Sequence, residues 1–433
     1  MRAAFVVAVL LGLGCSPSVP PNIVLIIGDD HGYTDFGFMG APVVRTPHLD
    51  RLADEGTFFP VGYATASVCR PSLNTLLTGL HPHQWELRLR QLERSGIQRA
   101  RWTEIQDVQT LPRLLAERGY TSFQAGKFWE GTFDMAGFTL GMASAKKNTR
   151  NLYELMGGES LRLVRETSKP VYDFIDWHRE GPFFVWFAPY LPHKPHDAPR
   201  RFTRLYQNAE LPEETKRYYA NITRFDAGVG ELLTYLEREG LREQTLIVYL
   251  SDNGWEVSSG VRSRYGGPKG KNSLYEVGFR TPVIFSWPGH IPAGRASAAL
   301  VSTVDVFATL LDYAGAELPA DRSGRSLRPV LEGRADGVRD VIIGAMDEVR
   351  ASVAAGQPPA DDERDTRAGG RFLRDRRWHY LWYEEGDDEL YDLEEDPAEN
   401  HNVAAQHAER IEEFRRRVRE WDAETRRGFA PSP

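Results

Sequence analysis

Apolar runs that stop abruptly at polar groups set the pattern of this chain. Residues 22–28, Asn-Ile-Val-Leu-Ile-Ile-Gly, form an unbroken and largely β-branched run that ends at Asp29-Asp30. Such a run predicts a strand covered on both faces, as in a mostly parallel sheet. Residues 245–250, Thr-Leu-Ile-Val-Tyr-Leu, repeat the pattern and lead into Ser251-Asp252-Asn253-Gly254. Residues 121–126 stop at Lys127, and residues 183–187 lead through a Pro-containing stretch to His193-Lys194-Pro195-His196. Pro71 suits the first turn of a helix and Gly79 suits its stop, so residues 72–78 read as a short helix with Cys69 at its N-terminus.

Further on, residues 301–315 carry helical periodicity, and the Gly, Pro and Arg-rich stretch 319–337 reads as a boundary. Residues 351–370 lack an apolar period and predict a long surface loop. Residues 378–383 and 389–393 predict an antiparallel pair of strands around the turn 384–388. Ile411, Phe414, Val418 and Trp421 then recur three and four apart within 408–427, the stripe of a helix docked on that sheet. The prediction is an α/β fold: a large mixed, mostly parallel β-sheet flanked by helices, with a smaller C-terminal α+β domain. Its boundaries are a leader at 1–20, a catalytic domain at 21–335 and a C-terminal subdomain at 336–427.

Composition narrows the function. With 433 residues, 41% hydrophobic and 26% charged, the chain can bury a large core. A formal net charge of −8 argues against nucleic acid as a partner, which would call for a basic excess or stripe. Arg2, the apolar run 3–14 and Cys15 read as an export signal, because twelve apolar residues are too few to span a bilayer. Leu11-Gly12-Leu13-Gly14-Cys15 resembles a bacterial lipoprotein cleavage site, so the expected location is periplasmic or lipid-anchored at the cell envelope through Cys15. Cys69 is the only other cysteine. Without an intrachain partner it is either a buried small hydrophobe or a reactive, modified thiol.

The polar ends of the strands supply the candidate chemistry. In open α/β sheets ligands bind outside the carboxyl ends of the strands, so Asp29, Asp30, Asp252 and Asn253 meet if their strands are neighbours. Three clustered carboxylates repel unless a cation neutralises them, and an all-oxygen set without His or Cys suits calcium, magnesium less well. Lys127 taken alone is an ordinary solvated lysine, and His193-x-x-His196 taken alone is an ordinary Pro-rich loop. Beside the acids they suggest an anion pocket.

These segments together resemble the sulfatase family. Cys69-Arg-Pro-Ser-Leu-Asn-Thr-Leu-Leu-Thr-Gly79 is similar to its signature C-x-P-S-R-x-x-x-L-T-G, with Leu73 where the family has arginine. The D-D after the first strand, the later D-N-G, Lys127 and His193 match the family's pattern, while Trp129 stands where a pocket histidine is usual. Lys271-Asn-Ser-Leu-Tyr-Glu276-Val-Gly-Phe-Arg280-Thr-Pro resembles the segment that carries a second sulfate-binding lysine, here Lys271. Residues 389–403 resemble the family's C-terminal motif, so the likeness runs from about residue 20 to about residue 420.

The resemblance implies an alkaline phosphatase-like fold, one Ca2+ ion, and a formylglycine made from Cys69 by a formylglycine-generating enzyme. It implies that the hydrated aldehyde attacks the sulfur of a sulfate ester, the lysines hold the sulfate, and a histidine protonates the leaving alcohol. Arg70, three residues before Leu73 on one helix face, is expected to take over the lost arginine's ground. Ten tryptophans and an export signal suit a sulfated carbohydrate as substrate. Two other readings stand beside this one. A phosphate mono- or diester hydrolase of the same superfamily keeps the fold, but its two-zinc version needs extra His and Asp ligands, and the eleven histidines contain no adjacent pair. A lipid-anchored binding protein that has lost catalysis would account for Leu73 and Trp129.

Overall fold

In the computed structural model, which describes residues 20–94, 104–143, 158–255, 269–350 and 366–429, the run after Pro21 forms β1 (Asn22–Gly28) near the middle of an eight-stranded sheet. The other strands of the first part of the chain are β2 (Thr57–Phe59), β3 (Gly62–Tyr63), β4 (Thr121–Gly126), β5 (Leu140–Gly141), β6 (Phe183–Ala188), β7 (Thr245–Ser251), β8 (Val283–Ser286), β9 (Arg295–Ala296) and β10 (Val301–Ser302). Their order in the sheet is β5-β4-β6-β1-β7-β8-β2-β9, with β3 and β10 forming a separate pair. From β5 through β7 every pairing is parallel, whereas β8 runs antiparallel to both β7 and β2. The fully buried runs β6, β1 and β7 are consecutive strands in the middle of the sheet.

Because strand side chains alternate, β1 supplies two cores. Ile23, Leu25 and Ile27 face one side, with Leu73, Leu76 and Leu77 of the helix Cys69–Thr78 and with Val306, Phe307 and Leu310 of the helix Thr303–Tyr313. Val24 and Ile26 face the other, against the helices Pro47–Asp54, Lys169–His178 and Glu213–Arg238. Leu327, Val330 and Leu331, within the stretch read as a boundary, belong to the first core.

The C-terminal part differs from its prediction. It holds four antiparallel strands rather than two: β11 (Ile342–Arg350), β12 (Thr366–Arg374), β13 (Trp378–Tyr383) and β14 (Glu389–Asp392), paired in that order. The predicted loop 351–370 therefore ends at Thr366, where β12 begins, and residues 351–365 lie outside the described residues. Two buried arginines conceal β12 in the sequence: Arg371 reaches Asp422, and Arg374 donates to the Tyr63 hydroxyl. The last helix, Ala408–Arg426, buries Ile411, Phe414 and Val418 on this sheet as the stripe predicts. The sheet's other face meets the first part of the chain through Tyr63, Tyr275, Phe279, Phe372 and Tyr391.

Candidate active site

Strand register brings the acids together. β1 and β7 pair in parallel from Asn22 opposite Thr245 to Gly28 opposite Ser251, so the residues that follow leave the sheet side by side. The backbone N–H of Asp30 donates to Asp252 Oδ1 at 3.2 Å, and Asn253 Nδ2 donates to Asp30 Oδ1 at 2.8 Å. Asp30 adopts a φ of 60°, a left-handed conformation that aspartate tolerates better than most residues. Gly126 ends β4 at a φ of 89°, where a Cβ would lie 2.0 Å from the Ala188 carbonyl oxygen, so a glycine is required for the chain to deliver Lys127 here.

Both lysines bind the acids. Lys127 Nζ contacts Asp29 and lies 2.9 Å from Asp252 Oδ2. Lys271 Nζ lies 2.8 Å from Asp30 Oδ1 and 2.7 Å from Cys69 Sγ. His193 approaches from the loop after β6, its Nε2 3.6 Å from Asp30 Oδ2. Its Nδ1 lies 2.6 Å from the Lys194 carbonyl, which can only accept, so Nδ1 carries hydrogen and Nε2 is the atom left to hold or release a proton. The structure thus brings Asp29, Asp30, Asp252, Asn253, Lys127, Lys271, His193 and Cys69 together.

Burial dominates the electrostatics. It pushes the Cys69 thiol up to about 12, against the pull of Lys127 and Lys271. Burial would also raise Asp30, but Lys271, His193 and Lys127 outweigh it and hold that carboxyl well below the usual range. Burial would lower both lysines, yet Asp252 and Asp29 keep Lys127 charged and Asp30 keeps Lys271 charged. Asp252, wholly buried, is raised by that burial despite Lys127. Three carboxylates against two ammoniums leave a formal −1, so the lysines alone do not neutralise the cluster.

The cluster fits a hard cation. Asp29 Oδ2 and Asn253 Oδ1 are buried without a hydrogen-bond partner, two oxygens that a cation would satisfy. One oxygen each of Asp29 and Asp30 and the Cys69 sulfur lie within 4.8 Å of one another, so the thiol stands at the edge of this oxygen set.

Cys69 opens a ten-residue helix, Cys69–Thr78, three residues earlier than predicted. Pro71 is its third residue, where an N–H has no intrahelical acceptor to lose. Gly79 ends it at a φ of 71°, as the sequence predicts. No side chain caps the N-terminus, and the helix dipole there favours negative charge. Leu73 is buried among Leu76, Leu77 and the sheet. Arg70 Nε and Nη2 form a bidentate pair with the buried Glu130, at 2.7 and 3.0 Å. Glu130, in the same Lys127-Phe-Trp-Glu segment, escaped the sequence reading, since nothing local links it to residue 70. Trp129 packs partly buried against the first core. A cavity of about 370 Å³ opens beside this helix, lined by Val68, Arg70, Asn74, Trp85, Asn272 and Met346.

Comparison with known proteins identifies the family. Residues 21–316 match the sulfatase family model. The N-acetylgalactosamine-6-sulfatase of Mus musculus is 32% identical over 72% of this chain, an alignment that spans 66% of that protein. Arylsulfatase A of Homo sapiens is 30% identical over 91% of this chain and 85% of its own length. Among solved structures, Ps i-CgsB in complex with k-i-k-neocarrahexaose superposes with a TM-score of 0.75 at 25% identity, covering 94% of this chain and 93% of that one. A family model over more than half of the chain and relatives at 30% identity or more agree, and the chain belongs to the sulfatase family of sulfuric ester hydrolases.

Proposed function

We propose that this protein hydrolyses sulfate esters of a carbohydrate, using a formylglycine made from Cys69 and one calcium ion held by Asp29, Asp30, Asp252 and Asn253. The observation that carries this reading is the 2.7 Å approach of Lys271 Nζ to Cys69 Sγ at the rim of three buried carboxylates. When present, calcium supplies charge stabilisation for the sulfate oxygens and the hydrated aldehyde supplies the nucleophile. A dication would turn the formal −1 of the cluster into +1, matched to a sulfate monoester anion. A thiol is a poor neighbour for a hard cation, and an oxygen at residue 69 suits that place better.

The remaining work falls to side chains. Lys127 and Lys271, buried and kept charged by the acids, bind the sulfate oxygens where little water competes. His193 Nε2 delivers a proton to the departing alcohol, its orientation fixed by the Nδ1 contact to Lys194. Arg70, tied to Glu130, braces the start of the cysteine helix and borders the cavity, whose about 370 Å³ suits a sugar residue. Export and anchoring through Cys15 would place the enzyme at the cell envelope, within reach of extracellular glycans.

The test is the mass of the Cys69 peptide from natively expressed protein, together with turnover of an aryl sulfate, an aryl phosphate and sulfated sugars. Formylglycine with calcium-dependent sulfate release is expected. An unmodified thiol with no hydrolysis would favour a binding protein, and preferential phosphate release would favour the phosphoester reading.

A further inference from the structure

The turn that carries Lys271 is held on one side by the segment just before the cysteine helix and on the other by the C-terminal part of the chain. On the first side, the Asn272 N–H donates to the Ser67 carbonyl at 2.9 Å and Ser67 Oγ donates to the Ser273 carbonyl at 2.8 Å. On the second, Lys269 Nζ donates to the carbonyls of Ala398 and Glu399, at 2.6 and 2.8 Å, and to Asn400 Oδ1 at 3.1 Å. The Glu276 N–H donates to Glu399 Oε2 at 2.8 Å. The other carboxylate oxygen of Glu399 meets His379 Nδ1. Glu399 is buried, stands at a φ of 54°, and has its own N–H bound to the Asp396 carbonyl. A buried carboxylate held by an imidazole and aimed at one backbone N–H is a rigid anchor, because leaving either donor unmet is costly.

We infer that Glu399, some 130 residues beyond the lysine and in the loop after β14, is a positioning residue that fixes Lys271 against Cys69 and Asp30. The two ends of the turn, Lys269 and Glu276, both attach to Glu399, so the ammonium between them is placed by a bridge between the two parts of the chain. The C-terminal sheet thereby completes the site rather than merely covering the core. This inference rests on the sulfate-ester reading for its catalytic consequence, but not for its geometry.

The test is a double-substitution cycle. Glu399→Gln keeps the shape but removes the charge, leaving one carbonyl oxygen where two carboxylate oxygens meet the Glu276 N–H and His379 Nδ1. It should lower kcat/KM on an aryl sulfate by about tenfold or more, the usual size for a support to a ligating group. In the Lys271→Ala background the same substitution should change kcat/KM less than about twofold, since the lysine it positions is gone. Equal fold-losses in both backgrounds would overturn the inference and leave Glu399 merely structural. A second readout needs no turnover: in protein made without conversion, Lys271→Ala and Glu399→Gln should both slow alkylation of the Cys69 thiol, because both take the ammonium from the sulfur. Wild-type alkylation in Glu399→Gln beside slowed alkylation in Lys271→Ala would refute it, even in a protein with no sulfatase activity. Should Glu399→Gln fail to fold, Lys269→Met removes the other tie and is subject to the same two outcomes.

Discussion

Withdrawing the proposed cation tests the core of the site, because the structure shows which groups its loss would leave behind. Asp29, Asp30 and Asp252 are almost wholly buried, two lysines neutralise only two of the three charges, and two oxygens lack partners. A ligand that binds the native state alone adds RT ln(1 + [L]/Kd), about 2.7 kcal/mol at a hundredfold excess over Kd. Unfolding entropy of about 2.1 cal/mol/K per residue gives about 0.9 kcal/mol/K for a chain of 433 residues, so chelation should lower Tm by about 3 °C. The assay is calorimetry of protein in EGTA against protein in calcium, with metal content measured on the untreated sample. Asp252→Asn sharpens it: the substitution removes the charge that burial already disfavours, so the chelated variant should melt within about 1 °C of chelated wild type while calcium no longer raises its Tm. Identical melting of wild type in both buffers, with no calcium in the purified protein, would refute the cation site.

Three further outcomes follow from the same geometry. Lys127→Ala and Lys271→Ala should each lower kcat/KM on an aryl sulfate by about 100- to 1000-fold, as steady-state kinetics would show, because each removes a charged donor from a dry site. His193→Gln should slow alkyl sulfates far more than nitrophenyl sulfate, whose leaving group needs no proton; equal slowing would remove His193 from the role of acid. His83 is buried, with Nε2 2.7 Å from Thr425 Oγ1, and burial, then the charges of Arg371 and Arg426, lower it from 6.5 to about 3. Its neutral form is therefore favoured by folding, its stabilisation is complete above pH 6.5, and it is lost as pH falls toward 3. At pH 5 that loss is about 2 kcal/mol, and His83→Gln should flatten the fall in Tm between pH 7 and pH 5.

The placements legible in the sequence are those in which a strand pattern ends at a polar residue. Two runs of the same type at 22–28 and 245–250 had to be buried strands, and once they are neighbours the acids beyond them must meet. What escaped the reading depends on partners distant in sequence. β12 was hidden because Arg371 and Arg374 occupy buried positions that a hydrophobic pattern cannot register, satisfied by Asp422 and Tyr63. Glu399 lies within the C-terminal motif, but its hold on the Lys271 turn spans 123 residues to Glu276 and leaves no local periodicity.

Arg70 shows how far local spacing can reach. Residues 70 and 73 are three apart on one helix, and that alone would let a guanidinium cover the ground of Leu73. Position 73 is filled by an apolar side chain on the first core, however, and a buried glutamate 60 residues away offers Arg70 a bidentate pair. A charge-assisted pair with a buried partner outweighs a loose approach to an apolar one, and breaking it would leave Glu130 charged and buried. Arg70 is therefore anchored to Glu130 at the start of the cysteine helix. In that position it ties the start of the cysteine helix to the segment that follows β4 and delivers Lys127, so the helix that carries Cys69 and the lysine that meets the acids share one support.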